Sequence, residues 1–181
     1  EVVSRAEERQ LLLSVEPVAV SALIDAAVAA HRERYRAAGV SLRTSVAAGT
    51  PPLTVDADRI QEVLGSLLDN ALRHTPGGGI VTVTARPSDS TRRAAAIITV
   101  ADTGVGFPAT DSERLFRRFT KSPDSPGSGL GLTIARAIIE AHHGTLTAHS
   151  DGPGHGAQFT ITIPSAHGKR THPGFPQPSR H

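Results

Sequence analysis

The 181-residue sequence contains no cysteine. That excludes disulfides, thiolate nucleophiles and zinc held by thiolates. Aromatic residues make up only 3% of the chain, so the core must be built from valine, isoleucine, leucine and alanine. No apolar run is long enough to cross a bilayer, no signal-peptide pattern opens the chain, and there is no internal repeat. A strong excess of one charge sign is missing too, with 19 Lys and Arg against 17 Asp and Glu. The formal net charge of +2 is too small by itself to point to nucleic acid, and no nucleic-acid partner is expected. What is present, 38% hydrophobic and 20% charged residues, suits a globular chain of about one domain.

Periodicity orders that domain. Pro17 suits a first helical turn. In the stretch that follows, "VAVSALIDAAVAAHRERYRAAG", Val20, Leu23, Ile24, Ala27, Val28 and His31 fall at helical spacing, with Gly39 as C′ residue. Val40–Val46 alternates as a strand, and Thr54–Val55 reads as a short extended piece. Asp56 is placed to N-cap a helix running to His74, with the apolar stripe Ile60, Val63, Leu64, Leu67, Leu68 and Ala71. "GIVTVTARP" and "AAAIITVAD" read as a hairpin. A short helix is expected over Asp111–Phe116 and a mobile loop over Phe119–Ser128. A helix is expected over Leu130–His142, with Ile134, Ile138 and Ala141 on one side, then a last hairpin of Thr145–Ser150 and Ala157–Ile163. The pattern implies an α+β fold of two layers, a mixed sheet covered by helices on one face.

Three segments break the pattern with glycine. "LLDNALRHTPGGG" puts Asp69 and Asn70 in an otherwise apolar helix. "ADTGVGFP" follows an apolar strand directly. "GSGLGLTIA" opens a helix. Glycines at a strand exit let the backbone approach a ligand closely, and a glycine-rich helix start directs free N–H groups at an anion. Each segment alone reads equally well as a turn.

Taken in order, the segments resemble the N, G1, F and G2 boxes of the sensor histidine kinase ATP-binding domain, a member of the GHKL ATPase superfamily. The matches are "LLDNALRHTP", "DTGVGF", "LFRRFT" (Leu115–Thr120) and "GSGLGLTIA", and the likeness extends over residues 16–164. It implies the Bergerat fold, a two-layer α/β sandwich, and the binding of ATP with Mg²⁺. Asp102 matches the carboxylate that accepts the adenine amino hydrogen, with Gly104 and Gly106 beside the base. Asn70 matches the Mg²⁺ ligand, and Arg73 and His74 match positions facing the phosphates. Gly127, Ser128, Gly129, Leu130 and Gly131 match the helix start that cradles phosphates. Phe116 and Phe119 match aromatics that anchor the lid. Arg118 matches a catalytic lid arginine near the γ-phosphate, and Lys121 is a further lid candidate.

The resemblance also sets expectations about partners. The phosphoacceptor histidine of this family is usually followed by an acidic residue, and none of the nine histidines is. A histidine-containing dimerisation domain, in cis upstream or in trans, is therefore expected to supply it, with a response regulator as indirect partner. Residues 1–15 are expected to be a linker from such a hairpin, and residues 165–181 a disordered tail. The domain is expected in the cytoplasm, with its parent anchored in the bacterial membrane. Ser66 stands where gyrase-like, chaperone-type and anti-sigma relatives place a general-base glutamate, which argues against an efficient stand-alone ATPase. Two other readings remain at this level: an anti-sigma-type serine kinase, and a non-catalytic nucleotide-binding regulatory module. His142, His143, His149 and His155 have no metal-ligand spacing.

Overall fold

The computed structural model describes residues 12–89, 95–117 and 131–165. The residues before 12, the loop at 119–128 and the tail from 166 onward lie outside them. The elements run β1 (Glu16–Val18), α1 (Val20–Ala37), β2 (Ser41–Val46), β3 (Leu53–Val55), α2 (Ala57–His74), β4 (Ile80–Pro87) and β5 (Ala95–Asp102). Two 3-10 turns follow, Ala109–Asp111 and Arg114–Phe116, then α3 (Gly131–Ala141), β6 (Thr145–His149) and β7 (Ala157–Pro164). A five-stranded sheet has the order β2-β4-β5-β7-β6, and β1 and β3 form a separate pair. β2 runs parallel to β4 and the other neighbours are antiparallel, so the sheet is mixed and the fold is α+β.

Two periods build the layers. On β4, Val81, Val83 and Ala85 are buried; on β5, Ala96, Ile98 and Val100; on β7, Phe159, Ile161 and Ile163. This period of two gives each strand one apolar face. α1 buries Leu23, Ile24, Ala27, Val28, His31 and Tyr35, and α2 buries Ile60, Val63, Leu64, Leu67, Leu68 and Ala71. The three helices cover that face in chain order: α1 lies against β2 and β4, α2 against β5, and α3 against β6. α2 is thus the middle helix over the middle strand. Among the described residues, no helix is long and apolar enough to cross a membrane.

Three expectations need correction. Pro17 lies in β1, paired with Thr54, and α1 begins only at Val20, because a non-local strand partner claims the residues before it. The short helix over Asp111–Phe116 is two separate 3-10 turns. On α3 the buried residues are Ala135, Ile138 and Ile139, while Ile134 is 44% exposed. Isoleucines on several sides of this helix leave its inward face to be set by packing on α2 and β6.

The polar residues of α2 hold its neighbours. Asp56 caps the helix by accepting from the Arg59 amide at 3.2 Å and also accepts the Ser14 amide at 3.0 Å. The Ser14 hydrogen bond is the main reason its carboxyl is held below the usual range. The Asp56 amide donates to Nε2 of the buried His142 at 3.0 Å, and His142 Nδ1 donates to the Ile138 carbonyl at 2.8 Å. That pairing requires the neutral Nδ1–H form, so His142 joins the end of α3 to the start of α2. Asp69 faces α1. Its Oδ1 accepts from Arg34 at 2.7 Å and from His31 Nε2 at 3.1 Å. The Asp69 side chain is 40% exposed, so the Arg34 pair contributes little by itself. Asp69→Ala is expected to lower stability by about 1 kcal/mol and leave ligand binding at native affinity. Thermal melting alongside a nucleotide titration checks both, and a loss of affinity without a loss of stability would contradict this assignment.

Candidate functional site

Along α2, the half-buried residues Ser66, Asn70 and His74 recur every four positions. In a helix that spacing makes one stripe, here bordering the buried Leu67 and Ala71. The stripe lies on the side away from Asp69 and α1. At its start a side-chain carbon on Gly131, the first residue of α3, would lie 3.7 Å from Ser66 Oγ. At its end Asn70 and His74 open into a cavity. An Asp69–Asn70 pair inside an apolar helix therefore has two separate explanations, one flank for each residue.

The strand side comes from the alternation on β5. After Ala96, Ile98 and Val100, the next inward position is Asp102, which is 8% exposed. Its Oδ1 accepts two backbone N–H groups, Gly104 at 2.9 Å and Ala157 at 3.2 Å. Both bonds fall on Oδ1, which fixes the carboxylate in a cavity that Asp102 lines. Burial pushes the Asp102 carboxyl above its usual range, while the two amides and His74 pull the other way.

The loop after Asp102 is tied on two sides. The Val105 amide donates to the His74 carbonyl at 3.0 Å, so the loop seals the end of α2. The Gly154 amide donates to the Val105 carbonyl at 2.7 Å and the Phe107 amide to Ser150 Oγ at 3.2 Å, which join it to the β6–β7 turn. Gly104 is required by this packing, because a Cβ there would be driven into the His74 carbonyl. The close approach visible at Gly104 is thus to the chain itself.

The result is an open cavity of about 380 Å³ lined by Asn70, His74, Asp102, Gly106, Phe107, Leu115, Ala157 and Phe159. Its lining combines a carboxylate held by two amides, apolar side chains, a carboxamide and an imidazole, the usual make-up of a small-molecule site. Four residues singled out in the sequence come together here: Asn70, His74, Asp102 and Gly106. Gly104 adjoins them through Asp102, and Gly131 adjoins Ser66. Arg73 is exposed and does not line the cavity. Arg118, Phe119, Lys121, Gly127, Ser128, Gly129 and Leu130 lie outside the described residues. The sequence does not single out Phe159 and Ala157. Phe159 is one of several inward apolar residues on β7, and only the packing gives it the cavity.

His74 is held below its usual range chiefly by burial and secondly by the Arg73 charge, with Asp102 opposing. It is therefore a neutral hydrogen-bonding group at neutral pH. Between that lowered value and the ordinary 6.5, the unfolded chain binds a proton that the native state does not. Stability from this group is complete above 6.5 and is lost as pH falls through the lowered value. Melting temperatures of native protein and His74→Gln between pH 5 and 7.5 are expected to show a steeper acid-side fall for the native protein; parallel curves would contradict it.

With this geometry defined, comparison with known proteins gives a consistent result. Residues 55–167 match the family of histidine kinase-, DNA gyrase B-, and HSP90-like ATPases. The signal transduction histidine-protein kinase BaeS of Escherichia coli is 35% identical over 89% of this chain and 34% of its own length. The adaptive-response sensory kinase SasA of Synechococcus elongatus is 31% identical over 89% of this chain and 41% of its own. This chain thus spans well under half of either relative. Among solved structures, full-length ShkA in complex with AMPPNP superposes with a TM-score of 0.76 at 27% identity, covering 85% of this chain and 32% of that one. The family match covers more than half of the chain and its matched segment contains the whole cavity, so this chain belongs to the histidine kinase-, DNA gyrase B-, and HSP90-like ATPase family.

Proposed function

We propose that residues 16–164 are the ATP-binding catalytic domain of a two-component sensor histidine kinase, which passes the γ-phosphoryl of ATP to a histidine on a separate dimerisation domain. The observation that carries this reading is Asp102, a buried carboxylate with one oxygen held by two amides, lining a cavity together with Asn70 and His74. An ionised carboxylate only accepts hydrogen bonds, so Asp102 Oδ2 takes the adenine amino hydrogen. Phe107, Leu115 and Phe159 flank the base and exclude water. His74, being neutral, donates a hydrogen bond toward the phosphates, and Arg73 adds charge from the exposed side of α2.

Mg²⁺ fits the donor set. Among the described residues no group of three or more acidic, histidine or cysteine side chains is placed to cage a metal, and Mg²⁺ commonly takes one or two protein oxygens with phosphates and water completing its shell. The Asn70 carboxamide oxygen would be that protein ligand. When bound, the ion supplies charge neutralisation across the phosphates. By the resemblance of the motifs alone, Arg118, Phe119, Lys121, Gly127, Ser128, Gly129, Leu130 and Gly131 are assigned to the nucleotide site as well. Ser66 has no group to take a proton from water, which disfavours hydrolysis and leaves an incoming imidazole as acceptor. A response regulator would then take the phosphoryl from that histidine, in a bacterial cytoplasm beneath a membrane-anchored parent.

The test is titration with ATP or ADP, with and without Mg²⁺. No Mg²⁺-dependent binding at millimolar nucleotide would sink the proposal. With a dimerisation domain added, labelled ATP is expected to give acid-labile phosphohistidine; acid-stable phosphoserine would favour an anti-sigma-type kinase. Asn70→Ala is expected to remove the Mg²⁺ dependence, weakening Mg·ATP by about tenfold to a hundredfold while leaving metal-free nucleotide binding near its native value.

A further inference from the structure

Arg136 on α3 is outside the cavity, yet it is the hub of a set of contacts that ends there. Its guanidinium makes two parallel hydrogen bonds to Glu113, Nη1 to Oε2 at 3.0 Å and Nη2 to Oε1 at 3.2 Å. The same group lies 4.3 Å from the centre of the Phe116 ring. Thr133, a turn earlier on α3, donates to the Phe116 carbonyl at 2.9 Å. The Phe116 ring meets Phe159 edge-on, with centroids 6.3 Å apart and planes at 78°. Phe159 and Leu115 both line the cavity.

The turn carrying Leu115 and Phe116 has only three residues in 3-10 geometry, which gives poor hydrogen bonds of its own. Its position is set from outside, and Arg136 grips it at both ends, Glu113 before it and Phe116 within it. An exposed ion pair alone would be weak, and Glu113 is mostly solvent-facing. A bidentate fork combined with a cation over a buried ring is more directional. Glu113 is held below, and Arg136 above, the usual range, each chiefly by their shared hydrogen bonds.

We infer that Arg136 is a positioning residue for nucleotide binding: it fixes the turn that presents Leu115, and the ring that backs Phe159, as the apolar wall against the base. This rests on the nucleotide reading of the cavity. Because this wall is assigned to the base, AMP must be weakened as well as ATP.

The experiment is NMR titration of the native chain, Arg136→Ala, Arg136→Lys and Glu113→Gln with AMP and with Mg·ATP, after circular dichroism shows each folded. Arg136→Ala is expected to weaken both nucleotides by about tenfold and to shift the Leu115 methyl resonances. Lysine keeps the cation but not the fork, so it should recover part of the loss, and Glu113→Gln should fall between native and Arg136→Ala. Unchanged affinity in folded Arg136→Ala would overturn the inference, as would a loss confined to ATP, which would place the effect at the phosphates and not at the base. If Arg136→Ala does not fold, native affinity in Glu113→Gln overturns it instead. A native chain that binds neither nucleotide fails the nucleotide reading, and this inference falls with it.

Discussion

Asp102→Asn is expected to weaken nucleotide binding about a hundredfold while leaving the fold at least as stable as the native one. The carboxamide can keep its oxygen where Oδ1 accepts the Gly104 and Ala157 amides. Its NH₂ group then occupies the place of Oδ2 and points a donor at the adenine amino group. An acceptor is lost and two donors face each other in a buried site, at about 3 kcal/mol, or on the order of a hundredfold in Kd. Stability moves the other way. Burial raises the Asp102 carboxyl above its ordinary 3.8, so above that pH the native state retains a proton that the unfolded chain has released. Stability from this group is present at low pH and lost as pH rises through the raised value, so the ionised side chain is a net cost at neutrality. Asparagine carries no such cost. Calorimetric titration with ADP and a melting curve test both halves. Retained binding would remove Asp102 from the base-recognition role, and a large fall in melting temperature would show that the carboxylate holds the loop.

What the sequence displays of this site follows from where the information lies. Helical spacing marks α2 because a stripe from Ile60 to Ala71 is local, and the same period carries Ser66, Asn70 and His74 as its edge. Strand alternation marks β5 and, continued by one step, directs Asp102 inward. The pair β1–β3 is not visible in the same way. Three residues cannot show a period, and Pro17 looks like a helix start until Thr54 is known to lie opposite it. The inward face of α3 is misread from periodicity because Ile134, Ile138 and Ile139 give the helix more than one apolar side. His142 carries no local sign that its partner is the Asp56 amide, 86 residues away. Phe159 and Ala157 reach the site only through sheet register, Asp102 opposite Ala157 and Val100 opposite Phe159.

Gly156 makes the same point with a larger expected effect, since nothing about "DGPGHG" distinguishes it from an ordinary hairpin turn. It has φ of +69°, which disfavours any other residue by roughly 1–2 kcal/mol. It also sits directly against the β5 exit. A Cβ there would be driven into the Asp102 carbonyl oxygen and lie 3.2 Å from the Thr103 Cα, and backbone cannot swing aside as a side chain can. Its amide donates to the Gly104 carbonyl at 3.1 Å, and its carbonyl accepts from Ser150 at 2.6 Å. Either the turn or the end of β5 must move, and Ala157, next in the chain, holds the Asp102 carboxylate. Gly156→Ala is therefore expected to cost about 3–5 kcal/mol, lower the melting temperature by on the order of 10 °C, and lose ADP binding even where the protein remains folded. Gly154→Ala is the control. Gly154 has φ of +83°, but a methyl group added there would meet no atom within 4 Å, so it should lose only the conformational part, about 1–2 kcal/mol, and still bind ADP. Equal losses of stability and binding in the two variants would mean that turn strain alone matters. A large difference between them would place the Asp102 carboxylate under the control of a turn 54 residues further along the chain.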